Sequence, residues 1–185
     1  MKKYQIIYAD PPWVFKNYSD DWHKEHSESR WVGKHYPLMT LDEVCGLPVN
    51  TITDDNCCLF LWSTPPTLKY ALKVLDAWGF AYKTKAFCWV KSNVKSDGFF
   101  TGMGFWTRAN TEDCLIATRG HPKRIDKSVR QLVISPRLAH SEKPPEVRHR
   151  IVKLMGDLPR IELFARKKHE GWDAWGNEVE SDIEL

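Results

Sequence analysis

The stretch Tyr4-Gln5-Ile6-Ile7-Tyr8-Ala9-Asp10-Pro11-Pro12-Trp13 governs how the rest of the chain is read. Its first six residues form a short apolar run rich in Ile and Tyr, the pattern of a buried strand. Asp10-Pro11-Pro12 ends that strand, because proline cannot continue a hydrogen-bonded ladder. A residue before proline is held extended, so Asp10 and Pro11 are stiff, and neither proline carries an N–H. The turn therefore offers carbonyl acceptors, one carboxylate and the flat indole of Trp13. That set matches an aromatic ring bearing an NH2 group. The plain alternative is a proline-rich turn with an N-capping Asp and a surface Trp, and placement straight after a buried strand favours chemistry.

Working outward, residues 14–37 are polar, aromatic and aperiodic, a length typical of functional or disordered loops. Thr40-Leu41-Asp42-Glu43 is a capping-box signature and predicts a short helix. Cys57–Trp62 reads as a second buried strand. Thr67 opens a helix with Leu68, Ala71, Leu72, Leu75 and Trp78 on one face, stopped by Gly79. Lys85–Val90, Leu115–Thr118, Gln131–Ile134 and Ile161–Ala165 read as further strands. Pro145 starts a helix carrying Val147, Ile151, Leu154 and Met155, closed by Gly156. Strands alternating with helices imply an α/β fold, a mostly parallel sheet with helices on both faces. Ligands of such sheets bind outside the carboxyl ends of the strands. Two strand ends carry unusual chemistry: Asp10-Pro11-Pro12-Trp13 and Arg166-Lys167-Lys168-His169.

The charge is unevenly spread. Residues 119–168 hold 14 Lys and Arg against 5 Asp and Glu, whereas residues 1–118 balance at 13 each. Such a segment suits a polyanion such as nucleic acid, or forms a solvated basic face offset by the acidic tail at 179–185. The five cysteines contain no C-x-x-C pair, and His23-x-x-His26 lacks partners, so neither a disulfide framework nor a metal site is expected. No signal-peptide pattern or membrane-length apolar stretch is present, and a reduced, cytoplasmic setting is expected. Of nine Trp, Trp13, Trp22, Trp31, Trp106, Trp172 and Trp175 lie in polar, loop-like sequence, which speaks against a purely core role.

Tyr8-Ala9-Asp10-Pro11-Pro12-Trp13, with Arg160-Ile161-Glu162-Leu163-Phe164-Ala165-Arg166 and Trp175-Gly176-Asn177-Glu178, resembles the MT-A-seventy family of adenine-N6 methyltransferases. The resemblance covers residues 4 to about 178. It implies a Rossmann-like S-adenosylmethionine-dependent methyltransferase sheet with permuted motif order, in one domain over 1–178. It implies transfer of a methyl group to the N6 amine of adenine, in DNA by preference because compact relatives act on DNA, with RNA as the alternative. Hydrogen bonds from both amine hydrogens to Asp10 and the Pro11 carbonyl would free the nitrogen lone pair and offset its developing charge. A base within a duplex would have to be flipped out.

By the same resemblance, Asp10, Lys143, Phe164, Arg166, His169, Asn177 and Glu178 would hold S-adenosylmethionine, with Pro11, Pro12 and Trp13 completing the catalytic motif. The Gly98–Trp106 segment resembles the family's Gly-Trp loop. Trp106, Asn110 and Glu112, with the 14–37 loop, would wall the target base. Arg119, Lys123, Arg124, Lys127 and Arg130, around a turn at Gly120-His121-Pro122, would meet phosphates. No G-x-G follows the cofactor strand, so a dinucleotide fingerprint lends no support. A homo- or hetero-dimer is compatible with the resemblance, as are a non-catalytic nucleic-acid-binding subunit and a protein-glutamine methyltransferase.

Overall fold

The six-residue strand β1 (Tyr4–Ala9) is buried along nearly its whole length and takes a central place in the sheet. The computed structural model describes residues 2–13, 38–102, 104, 106–137 and 142–185. Within these, β2 (Thr53–Ser63), β3 (Ala81–Ser92), β4 (Thr111–Arg119), β5 (Leu132–Pro136), β6 (Arg160–Leu163) and β7 (Asp173–Trp175) join β1 in the order β5-β3-β4-β2-β1-β6-β7. All pairs are parallel except those of β4, which lies antiparallel between β2 and β3. The result is a Rossmann-like α/β sheet with one reversed strand.

The expected helices are present. Helix α1 (Leu41–Gly46) starts at the Thr40 capping box, whose backbone N–H donates to Glu43 at 2.7 Å. Helix α2 (Leu68–Ala77) ends before Gly79, whose φ of 79° suits only glycine without strain. Helix α3 (Pro145–Met155) ends at Gly156, φ 95°. Helices α1 and α2 cover one face of the sheet through Val44, Ala71, Val74, Leu75 and Trp78. Helix α3 covers the other through Val147, Ile151 and Met155, so both faces are sheathed as expected.

Two expectations are corrected. The buried stripe of α2 runs through Ala71, Val74, Leu75 and Trp78, while Leu68 and Leu72 are exposed. Trp78 fixes that rotation by donating its indole N–H to the Val44 carbonyl at 2.9 Å, which leaves Leu72, a further 100° around from Ala71, at the margin. The last expected strand stops at Leu163, because Phe164 has a φ of 59° and cannot continue it. A further strand, β7, pairs with β6 beyond it; three residues are too few to show a period in sequence. The acidic terminus contacts the sheet. The Asp182 N–H donates to the Ala174 carbonyl and the Asp182 carboxylate accepts the Ala174 N–H, while Ile183 and Leu185 pack against the core.

The register places Ala9 opposite both Leu61 and Leu163, and Leu163 opposite Trp175. The parallel strands therefore all end at one edge of the sheet, where β4 begins. From β1 the chain passes to α1 on one face, and from β6 it passes over the other through Trp172. The gap between those two strand ends is a switch point, the place where open α/β sheets bind ligands.

Candidate active site

At that edge four elements bring charged groups together. Asp10 follows β1, Lys143 precedes α3, Glu112 opens β4 and Lys91 closes β3. The Lys143 ammonium lies 2.5 Å from Asp10 Oδ2 and 3.3 Å from Glu112 Oε2. Lys91 takes the other Glu112 oxygen at 2.5 Å. Burial pushes the Asp10 carboxyl above its usual range more than Lys143 pulls it down. Burial works against the Lys143 charge too, yet Asp10 and Glu112 outweigh it and hold the ammonium firmly protonated. Burial raises Glu112, but its two lysines prevail and lower it. The outcome is a fixed cation beside a carboxylate that is only 27% exposed. Lys143 also sits 5.4 Å over the Trp62 ring, and Trp62 is locked by donating to the Tyr8 hydroxyl at 2.6 Å.

Asp10 is the hinge of an open trough. On one side Pro11, Pro12, Met39, Phe164, Ala165, Arg166, Trp175, Gly176, Asn177 and Glu178 enclose roughly 590 Å³. On the other, Lys143, Arg148, Glu162, Lys167 and His169 continue it past the shared Phe164, Arg166 and Glu178. Phe164 meets Trp175 edge-on at 5.4 Å between ring centroids. Its left-handed backbone is uncommon for a bulky residue, and such outliers cluster where a site demands them. A side chain at Gly176 would place its Cβ 2.3 Å from the Ala165 carbonyl, so only glycine lets the β7 turn close on β6. Arg166 donates to Glu178 at 2.8 Å across the mouth.

The structure thus brings Asp10, Lys143, Phe164, Arg166, His169, Asn177 and Glu178 to one trough, although they span 169 positions of sequence. Sequence reasoning missed Met39, Arg148, Glu162 and Trp175 as lining residues. Glu162 had a signal of its own, an acid in the middle of an apolar strand. It pairs with Arg148 at 3.2 Å, and burial outweighs that attraction to push its carboxyl up to about 7. Burial and nearby Arg148 and Lys167 lower His169, which favours a neutral imidazole.

Other expectations change. Trp13 is not a surface for stacking. It is 8% exposed, belongs to the core, and donates its indole N–H to the Trp62 carbonyl at 3.3 Å. Its size and single donor favour burial once an acceptor is in reach. The Pro11 carbonyl accepts the Trp13 N–H at 2.8 Å, which leaves one of its lone pairs. Both Glu112 oxygens are engaged by lysines, so it fixes Lys143 rather than facing open space. Trp106 is 92% exposed and Asn110 leads into β4, both at the edge carrying Asp10. Arg119, Lys123 and Arg124 lie at the opposite edge, because β4 carries the chain seven residues, roughly 23 Å, from Glu112 to Arg119. Residues 14–37, the expected second wall of the base site, lie outside the described residues, as do Met103, Phe105 and His140-Ser141. Trp172 is buried in the core and Trp175 half-buried at the trough.

Among the described residues no helix is long and apolar enough to cross a membrane, and no cluster of metal-binding side chains occurs. A sequence model of the MT-A70 family matches residues 4–178. The type II methyltransferase M.MunI of a Mycoplasma species is 38% identical over 197 residues, covering all of this chain and 82% of that protein. The human N(6)-adenosine-methyltransferase catalytic subunit METTL3 is 28% identical over 182 residues. There the match covers 96% of this chain but 28% of the relative. The human N(6)-adenine-specific methyltransferase METTL4 is 27% identical over 195 residues, 38% of its own length.

Proposed function

This chain belongs to the MT-A70 family, and we propose that it transfers a methyl group from S-adenosylmethionine to the N6 amine of adenine in DNA. The observation that carries the reading is the convergence of Asp10 and the buried Lys143 at the mouth of an aromatic-edged trough. The side chains fit that cofactor by their chemistry. Lys143 offers a cation to a carboxylate, Asp10 a carboxylate to an amine, and Asn177 and Glu178 offer polar groups suited to ribose hydroxyls. Phe164 supplies an aromatic ring.

When bound, the cofactor contributes an electrophilic sulfonium methyl group. What the chain does is position and polarise. Asp10 and the remaining lone pair of the Pro11 carbonyl accept the two amine hydrogens, which returns the nitrogen lone pair from the ring to the nitrogen. The Asp10 carboxylate then offsets the positive charge that builds on nitrogen and accepts the proton that the methylated amine must release, and fixed charges of this kind need no reorganisation during reaction. The Lys143 ammonium works against the upward push that burial gives the Asp10 carboxyl. The exposed aromatics Phe99 and Trp106 would stack an unpaired base.

DNA is favoured because the relative matched along this whole chain is a type II methyltransferase of similar extent, whereas the adenosine enzymes are matched over about a quarter of their length. We take residues 1–178 as one methyltransferase domain acting in the cytoplasm. The test is transfer of labelled methyl from S-adenosylmethionine to single-stranded DNA, duplex DNA and RNA, followed by nucleoside digestion. N6-methyladenine should appear in DNA. An Asp10→Asn variant that still binds cofactor should lose on the order of 10²–10³-fold in rate. Label found only in RNA would replace the DNA reading; label in neither would sink both.

A further inference from the structure

Five cations, Arg119, Lys123, Arg124, Lys127 and Arg130, fall within twelve residues that contain a single acid, Asp126. At the trough the cations are paired: Lys91, Lys143, Arg148, Arg166 and Lys167 each meet a carboxylate. None of the five does so among the described residues. Asp126 is turned inward to Ser128 and Lys153, and Asp54 and Asp55, beside Gly120, form no ion pair with the segment. Lys123, Arg124, Lys127 and Arg130 are exposed.

The segment is also built firmly. Gly120, with φ 62°, lies so close to β2 that a Cβ there would sit 2.1 Å from the Asp55 carbonyl. The His121 N–H donates to Asn56 at 2.7 Å, and the Ile125 N–H donates to Leu154, in the last turn of α3, at 2.8 Å. A row of like charges held apart from counter-charges repels itself, and a polyanion relieves that repulsion. Because the backbone is already fixed, binding orders little more than the side chains.

Resting on the methyltransferase reading above, we propose that this segment is a second nucleic-acid contact, remote from the reacting base, which grips the phosphate backbone of the flanking duplex. It stands one helix length from Lys143, since α3 spans eleven residues, roughly 17 Å at about 1.5 Å each. Along β4 the separation is roughly 23 Å. At about 3.4 Å per base pair, the gripped phosphates lie some five to seven pairs from the target. The contact reads no sequence. It holds the duplex while the base is drawn into the trough.

The test uses the full chain and a variant combining Lys123→Ala, Arg124→Ala and Lys127→Ala, whose backbone anchors are untouched. Substrates are a duplex of about 30 base pairs and a strand of about 4 nucleotides, which at about 3.4 Å each is too short to bridge the two places. For the duplex, affinity should fall about tenfold or more near physiological salt, and the slope of log K against log salt should become shallower by about 3. The loss should be confined to the long substrate, with methyl transfer to the short strand following the unaltered chain. An unchanged affinity and slope would overturn the inference while leaving the methyltransferase reading intact. So would equal losses on both substrates, which would place the segment at the trough, or a loss only in capturing an acidic protein. A wild-type chain that methylates neither substrate would overturn both.

Discussion

At the scale of single residues, the chain uses burial to set the state of its charges, and two side chains carry distinct consequences. Trp13 stands beside the reacting carboxylate in sequence, yet it works as a core residue with its N–H on the Trp62 carbonyl. Trp13→Ala should therefore destabilise the fold by about 3–5 kcal/mol, the usual cost of emptying a buried aromatic site. Trp13→Phe should retain most of that stability and most of the activity. Chemical denaturation separates this from a stacking role, in which both variants would fold normally and lose turnover together. Glu162 is the second case. Its folded carboxyl is raised from an ordinary 4.5 to about 7, so the folded chain keeps this proton over a range where the unfolded chain has released it. The stability it brings is present below about 4.5 and is lost as pH rises through about 7. Glu162→Gln keeps an acceptor for Arg148 and cannot ionise. Relative to that variant, the melting temperature of the wild-type chain should fall between those limits, and parallel curves would show that Glu162 titrates at its ordinary value.

Among elements, the decisive geometry is the meeting of the β6 and β7 ends. Gly176 is where the two backbones come closest, and the Ala165 N–H donates to the Trp175 carbonyl at 2.9 Å. Gly176→Ala should force the β7 turn outward and carry Asn177 and Glu178 with it. The expected result is a cofactor affinity reduced about tenfold or more by calorimetry, alongside a stability loss of about 1–3 kcal/mol. Full affinity would mean that the turn relaxes without moving its side chains. This junction also marks how far sequence could be read. Strongly apolar runs such as β1 and β2, and helices bracketed by Thr40, Gly79, Pro145 and Gly156, were legible because burial and capping leave local marks. The ends of β6 and the existence of β7 were not, because a positive φ at Phe164 and a three-residue strand are set by packing between distant segments. The motif residues named by resemblance line one trough, whereas Glu112 pairs with two lysines and Trp13 packs in the core. Only their three-dimensional neighbours, two lysines for Glu112 and a carbonyl for Trp13, show what each touches.

For the whole molecule, the terminus that reads as a solvated acidic tail closes the far side of the sheet. Strand β7 is short and lies at the edge, and such a strand is marginal unless something ties it down. Residues 181–185 do so. Ser181 exchanges hydrogen bonds with Gly176, and Asp182 takes the Ala174 N–H at 2.9 Å and the Lys168 ammonium at 2.7 Å. Ile183 and Leu185 cover apolar surface behind it. Because Asn177 and Glu178 follow β7 directly, loosening the strand should loosen their side of the trough, whereas Lys143 and Asp10 hang from other elements. Ending the chain after Glu180 should cost roughly 2–4 kcal/mol, from two partly buried aliphatic side chains and two or three hydrogen bonds. It should also weaken cofactor binding while leaving intact the Asp10–Lys143 pair, whose coupling a double-mutant cycle would read unchanged. Amide exchange would show the loss as faster exchange at Ala174 than at Ile7 in the central strand. Protection retained at Ala174 after truncation would mean that β6 alone holds β7 in place, and that the last five residues serve only to fill surface.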